Sequence, residues 1–561
     1  MRRAGRQLEG HGARAIERLR ERLAIVTVLF AGAFLLLAGR TLELGIAGGD
    51  VETTEARAGL PEHLASRADI VDRNGIVLAT NLELAALYAR PRLIDDPEAL
   101  ARRLARILPD LSQAKVAAAL ASRRSFVYIK RRLTPRQMWA VNALGEVGLG
   151  FEKTEERVYP QGRLAAHVVG YSDIDGHGIA GIEKSFDGRL GDPALADRPL
   201  RLALDLRVQH AVVDEVSRAI GRFRARAGGG LVLDVRTGEV LALASLPDFD
   251  PHNRPDANDP ALFNRMTKGA YELGSVFKTF TIAMALETGT VTLADGYDAS
   301  EPIRVGRFLI RDDHPQGRYL TIPEIFVHSS NIGAAKLALD IGTDTERRFL
   351  DRLGLLRPAS IELPEVGRPL LPDHWRELAT MTIAYGHGLA VSPLQAATAF
   401  AAIVNDGNLT PATLIAKDPG EEVSRVPIIS PATSARMREL LRLAVTEGTG
   451  RQADVPGYRV GGKTGTAEKP RRGGYAKSAL LSSFVGVFPI DDPRYLVFVM
   501  LDEPQGTEAT FYYASAGWTA APTVAQIILR TAPLLGVQPA PEDRGLYHQA
   551  ALLIRDRGEV P

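Results

Sequence analysis

Residues 271–286 read Tyr271-Glu272-Leu273-Gly274-Ser275-Val276-Phe277-Lys278-Thr279-Phe280-Thr281-Ile282-Ala283-Met284-Ala285-Leu286. From Val276 onward apolar residues fall on most sides of a helical wheel, and a helix that is hydrophobic nearly all round is a buried one. Gly274 precedes it, so Ser275 opens the helix. Positions i and i+3 share a helix face, which puts Lys278 beside Ser275. Desolvation there disfavours the ammonium form. A neutral amine next to a hydroxyl is able to take its proton, the activation a serine nucleophile needs. The bland alternative is a buried lysine that only neutralises a carboxylate, and on this pair alone the two stand level. Ser-x-x-Lys also occurs at Ser112 and Lys115. There an alanine-rich helix flanked by charges, including Arg123 and Arg124, makes Ser112 a helix-start serine.

Working outward, Val208, Val212, Val216 and Ile220 recur every fourth residue, predicting an amphipathic helix that begins near Asp205 and ends at Gly228-Gly229-Gly230. Leu231–Ser245 predicts a hairpin turning at Thr237-Gly238. Helical patterns run from Ser275 to about Gly450. Ser483–Ile490 and Tyr495–Leu501 predict a second hairpin, joined by Asp491-Asp492-Pro493-Arg494. Strands first, helices in the middle and strands last predict an α+β domain, one antiparallel sheet flanked by helices. Before it, Ala68–Ala79 predicts two short strands around Asn74-Gly75, Pro97–Ala121 a helix, and Tyr159–Gly188 a turn-rich stretch. Arg67, Asp72, Arg157 and Glu183 are polar residues among these strands and are expected to pair structurally.

The 561 residues carry 68 Lys+Arg against 67 Asp+Glu, and no cysteine. A net charge of +1 argues against a nucleic-acid-coating protein, which needs a basic surplus. Absent cysteine excludes disulfides, thiolate nucleophiles and cysteinyl metal sites. Eleven histidines include no H-E-x-x-H, so no zincin site is expected. His328, beside Ser329, is expected to be structural. With 45% hydrophobic residues and mean hydropathy −0.05, the chain is no polytopic membrane protein. One anchor is nonetheless visible. Leu23–Gly39 is uncharged for 17 residues, the lower limit of a bilayer span. Arg2, Arg3, Arg6, Arg14, Arg18, Arg20 and Arg22 precede it, and Glu43, Asp50, Glu52 and Glu55 follow, which predicts a cytoplasmic N-terminus. A cleaved signal peptide is the rival reading, but the run is longer than such a core and is followed directly by Arg40.

Gly457-Tyr458-Arg459-Val460-Gly461-Gly462-Lys463-Thr464 fits G-x-x-x-x-G-K-[ST], a phosphate-loop pattern. A true phosphate loop opens a helix. Here Gly465, Pro470, Gly473 and Gly474 follow, so a helix is not expected. The same Lys463-Thr464-Gly465-Thr466 has another context. Ser329-Ser330-Asn331 stands between helical patterns at Pro323–His328 and Ile332–Leu339. Ser-x-x-Lys, Ser-x-Asn and Lys-Thr-Gly, in that order, are the three motifs of penicillin-binding proteins and class A β-lactamases. Two of only eleven lysines sit in them.

The chain resembles the class B penicillin-binding proteins over residues 20 to 535. Arg67–Leu82, Arg157-Val158-Tyr159-Pro160, Ala165–Tyr171 and Gly178–Leu190 look like their pedestal. Gly228–Asn253, Tyr271–Thr281, Glu447–Ala467 and Ser483–Pro504 look like their transpeptidase domain. The short pedestal and Tyr271–Ser275 resemble the division-specific type more than the elongation type. Leu273 stands where that type usually has proline, and Ala203 where it usually has threonine. The resemblance implies a cytoplasmic tail (1–22), an anchor (23–46), a dimerisation-type pedestal (47–204), a transpeptidase domain (205–540) and a tail (541–561). It implies a bacterial inner-membrane protein with its catalytic domain in the periplasm.

By the same resemblance Ser275 attacks the D-alanyl-D-alanine carbonyl of a peptidoglycan stem peptide and Lys278 is its base. Ser329 passes the proton on, Asn331 holds the donor peptide, and Lys463 supplies positive potential. Thr464 and Thr466, around Gly465, bind the terminal carboxylate. The backbone N–H groups of Ser275 and Thr466 form the oxyanion hole. No metal or cofactor is implied. The implied partners are stem peptides, β-lactams as inhibitors, a membrane-embedded glycan polymerase of the shape and division family, and other divisome proteins; no nucleic acid is. Alternatives are an elongation-type transpeptidase, a β-lactamase or penicillin sensor, a P-loop ATPase and a non-catalytic scaffold.

Overall fold

The computed structural model describes residues 30–36, 67–306, 308–471, 474–540 and 554. Of the predicted anchor only 30–36 fall within this range; they are helical and exposed. The rest of that run, and the tails at 1–22 and 541–561 apart from Ile554, lie outside it. No described helix is long and apolar enough to cross a membrane. The chain divides into two compact units, residues 1–64 and 65–561. Apart from the helical turns at 30–36, every described helix and strand belongs to the second.

That unit opens with β1 (Ile70–Val71) and β2 (Val77–Ala89), antiparallel with Ile70 opposite Ala79. The turn between them contains Gly75 at φ +84°, a left-handed angle that favours glycine. The hairpin is the expected one, but β2 runs ten residues past Ala79 to pair with β3 (Val127–Leu133) and β4 (Leu149–Val158). The single helix expected over Pro97–Ala121 is two, α1 (Pro97–Ile107) and α2 (Gln113–Leu120). Pro109 lies between them, and proline cannot continue a helix. Ser112 occupies the N-cap of α2, although its hydroxyl makes no cap bond.

The four polar residues among these strands do pair structurally. Glu183 is fully buried and accepts from Arg67 Nε at 2.7 Å and Arg157 Nε at 2.7 Å. Asp72 accepts from the N–H groups of Asn74, Ile76 and Leu206 at 2.8–3.1 Å. Glu183 belongs to the short helix α3 (Gly181–Ser185).

Helix α4 (Leu206–Arg222) is capped by Asp205, whose carboxylate accepts from Arg207 N. It buries Val208, Val212 and Val216 of the predicted stripe, and its fourth member, Ile220, is partly buried against the same core. It ends at Arg222, however, and Gly228-Gly229-Gly230 do not terminate it. They lie inside β5 (Ala227–Asp234). Their role is clearance: a Cβ on Gly229 would sit 2.4 Å from Met266 Sδ, and one on Gly230 2.9 Å from Val212 Cγ1. β5 turns through Gly238, φ +77°, into β6 (Val240–Leu246).

Near the C-terminal end come β7 (Gly461–Arg471), β8 (Gly474–Phe488) and β9 (Tyr495–Asp502). The sheet order is β7-β8-β9-β5-β6, antiparallel throughout. Lys463 and Thr464 therefore stand in a strand, not before a helix, and the phosphate-loop alternative falls. Along β9, Val497, Val499 and Leu501 pack with α4, whereas Leu496, Phe498 and Met500 join the core on the other face. Both faces are covered, so the strand reads as a continuous apolar run with no alternation. Helix α5 (Lys278–Glu287) lies in that second core with nine of its ten residues buried.

Candidate active site

Three elements converge at the start of α5. Ser275 sits in a 3-10 turn, Gly274–Phe277, that leads into the helix. Ser329 links the helices Ile322–Val327 and Asn331–Ile341 at φ +59°. A non-glycine residue held in the left-handed region stores strain that the surrounding structure must offset. Lys463, Thr464 and Thr466 come from β7. Glycines permit the approach: a Cβ on Gly274 would lie 2.5 Å from the Thr466 carbonyl oxygen, and one on Gly465 2.3 Å from that of Leu273.

Lys278 Nζ is fully buried and lies 2.8 Å from Ser275 Oγ, 2.9 Å from the Ser329 carbonyl oxygen, 3.2 Å from Ser329 Oγ and 2.6 Å from Asn331 Oδ1. Burial lowers its pKa to about 7, while Asp312 and Asp313 oppose that by favouring the charge. A neutral amine has two N–H donors and one lone pair. The donors match the two carbonyl-type oxygens, which leaves the lone pair for the Ser275 hydroxyl. Lys463, also fully buried, reaches Ser329 Oγ at 3.1 Å and Thr464 Oγ1 at 3.4 Å. Burial pushes its pKa well down, and the Lys278 charge pushes the same way. The Ser329 hydroxyl thus bridges two lysines.

All eight residues singled out in the sequence stand here or on the strand beside it. The structure adds others. Asp312 Oδ1 accepts from the N–H of Asn331 at 2.5 Å and of Ile332 at 2.9 Å, and Oδ2 accepts from Ser330 Oγ at 2.7 Å. It holds the turn that presents Ser329 and Asn331. Thr449 Oγ1 pairs with Thr464 Oγ1 at 2.6 Å, and Thr466 Oγ1 accepts from Ala516 N at 3.0 Å. The Tyr385 ring lies 6.0 Å from Lys278 Nζ. His387, 5.3 Å from that ring, is lowered to about 4 by burial and then by Lys278, so it is neutral at ordinary pH. No periodicity marks Asp312; it sits in the charged turn Arg311-Asp312-Asp313-His314, nineteen residues before its backbone partner Asn331.

A serine, two buried lysines and an amide-bearing asparagine, brought together at the edge of an antiparallel sheet, are the groups that serine acyl transfer requires. Residues 228–529 match the family described as the penicillin binding protein transpeptidase domain. Residues 62–191 match the penicillin-binding protein dimerisation domain. The chain is 40% identical over 484 residues to “Probable peptidoglycan D,D-transpeptidase FtsI” of Caulobacter vibrioides, covering 84% of this chain and 82% of that protein. It is 30% identical over 553 residues to “Peptidoglycan D,D-transpeptidase FtsI” of Escherichia coli, covering 91% of each. A crystal structure of penicillin binding protein 3 from Mycobacterium tuberculosis complexed with aztreonam superposes with TM-score 0.68 at 27% identity, covering 85% of this chain and 98% of that one. The chain belongs to the class B penicillin-binding proteins, with a dimerisation and a transpeptidase domain.

Proposed function

We propose that this chain is a peptidoglycan D,D-transpeptidase of septal wall synthesis, acting through an acyl-enzyme on Ser275. The contact set of Lys278 Nζ carries the reading. With its two N–H groups engaged by Asn331 Oδ1 and the Ser329 carbonyl, the amine accepts the Ser275 proton as Oγ attacks the D-alanyl-D-alanine carbonyl. The tetrahedral oxyanion takes hydrogen bonds from the N–H groups of Ser275 and Thr466, a device worth about 10²–10³ in rate per donor. Ser329 Oγ, in reach of both lysines, hands a proton to the departing D-alanine nitrogen. The acyl-enzyme is then attacked by an amine of a neighbouring stem, which forms the crosslink and frees Ser275.

Lys463 acquires its role on binding. In the empty site its ammonium is disfavoured by burial. A substrate carboxylate against Thr464 and Thr466 supplies the missing counter-charge, so Lys463 takes up the proton and its charge then favours the neutral form of Lys278. β-Lactams present the same carboxylate and carbonyl, and acylate Ser275 without a leaving group that departs.

The relatives' names support the transpeptidase activity, and the resemblance of the short pedestal and of Tyr271–Ser275 to the division-specific type supports the septal role. The arginine-flanked run Leu23–Gly39 supports a single inner-membrane anchor with a cytoplasmic N-terminus and a periplasmic catalytic domain. A membrane-embedded glycan polymerase of the division machinery is the partner such an anchor and pedestal would meet. The test is covalent labelling of the full chain by a fluorescent penicillin with mass spectrometry of the adduct. Ser275→Ala is expected to lose labelling with its melting temperature unchanged. Labelling retained at another residue refutes the assignment.

A further inference from the structure

A hydrogen-bonded contact joins the pedestal to a loop that in turn binds the segment leading to the nucleophile. The carboxylate of Glu365, from the loop after Leu363, accepts from Gly181 N with both oxygens at 3.3 Å. Gly181 begins helix α3 of the pedestal and stands at φ +61°. That helix is a fixed block. Glu183 is locked by Arg67 and Arg157, Asp187 accepts from Arg67 and from Gly178 N, and a Cβ on Gly170 would sit 1.8 Å from the Ala180 carbonyl oxygen.

On its other side the backbone of Glu365 grips the catalytic domain. Its carbonyl accepts from Thr267 Oγ1 at 2.5 Å, and Gly367 N donates to the Thr267 carbonyl at 3.0 Å. Gly367 is so close to the chain here that a Cβ would lie 2.1 Å from the Lys268 carbonyl oxygen. Thr267 is fully buried. Eight residues further on is Ser275, and the chain between is pinned by Tyr271 pairing with Val391 and by Gly274 N donating to the Gly386 carbonyl at 3.2 Å. Other pedestal contacts, such as Tyr159 N to His252 Nε2 at 3.0 Å and Gln209 Nε2 to the Leu164 carbonyl at 2.8 Å, reach elements that do not lead directly into the nucleophile.

We propose that Glu365 is a positioning residue, a clamp through which the pedestal helix at Gly181 sets the placement of Ser275 by way of Thr267. The inference rests on Ser275 being the nucleophile. The pedestal then does more than hold the catalytic domain away from a surface: its conformation enters the acylation rate.

The experiment is stopped-flow acylation of the full chain by a penicillin, resolved into the pre-covalent dissociation constant and the acylation rate constant, with rates normalised to the fraction of protein that labels. A single hydrogen-bonded contact contributes about two- to tenfold to an equilibrium. Glu365→Ala is expected to lower the acylation rate constant by about that factor and to leave the dissociation constant in place. Glu365→Gln keeps an acceptor for Gly181 N and is expected to stay within about twofold of the parent. Loosening the pedestal block with Asp187→Ala should slow acylation in the parent and have no further effect in Glu365→Ala, because both act through one contact. A Glu365→Ala protein that melts lower yet acylates at the parental rate constant overturns the proposal, as does additivity of the two substitutions. Failure of the parent to label at all refutes instead the reading of Ser275.

Discussion

The acylation rate should follow the neutral fraction of Lys278 and so carry a pH signature. With a pKa of about 7, the neutral fraction is about one-tenth at pH 6, half at pH 7 and nine-tenths at pH 8. The second-order constant for Ser275 acylation, the rate constant divided by the pre-covalent dissociation constant, reports the empty site and should fall about tenfold from pH 8 to pH 6 and about tenfold more by pH 5, and be flat above about pH 8. A lysine at its ordinary value near 10.5 would be only about 0.3% neutral at pH 8, and the rate would keep rising tenfold per pH step through pH 9. The assay is the same stopped-flow acylation, run in constant-ionic-strength buffers because part of the field is exposed. Exposed Asp313 is one of two charges that hold the proton on Lys278, so Asp313→Asn should move the midpoint toward acid. A unit-slope rise continuing to pH 9, or a midpoint moved toward base in Asp313→Asn, would refute the lone-pair account.

Lys278→Met should abolish acylation and stabilise the fold. The unfolded chain keeps the Lys278 proton to about 10.5 and the folded one only to about 7. Stability therefore rises with pH across that window, and burying the amine costs up to about 4 kcal/mol at pH 7. The melting-temperature gain of the methionine variant should shrink between pH 7 and pH 10, and a gain constant with pH would contradict it. In the pedestal, Glu183→Gln leaves the guanidiniums of Arg67 and Arg157, 8% and 5% exposed, without their shared carboxylate. Breaking such a buried arrangement costs about 3–5 kcal/mol, to be read as a lowered denaturation midpoint at unchanged m-value.

What the sequence made legible was set by the range of the interactions. Local patterns translate directly. The four-residue period from Val208 became α4, and Thr237-Gly238 became the turn of β5 and β6, because spacing and turn chemistry act within a few residues. Gly228-Gly229-Gly230 misled for the opposite reason. Three glycines look like a helix stop, yet here they answer to Met266 and Val212, side chains brought against the strand by tertiary packing. The site divides the same way. Ser275 and Lys278 are adjacent by helical geometry alone, whereas Asp312, Thr449 and Tyr385 gain their meaning only where distant segments meet.

The chemistry itself explains why the missed residues matter. A hydroxyl nucleophile in a cysteine-free chain depends on a base whose proton affinity is set by surroundings, and those surroundings are long-range. Burial lowers Lys278, and Asp312 both opposes that lowering and fixes the turn bearing Ser329 and Asn331. One carboxylate thus sets the electrostatics of the base and the geometry of its partners together. Asp312→Asn keeps the size and one acceptor oxygen, enough for the Asn331 and Ile332 N–H groups, but removes charge, so it separates the two roles: an acid-shifted acylation profile at parental amplitude assigns Asp312 to tuning the base, and a lost amplitude assigns it to holding the turn.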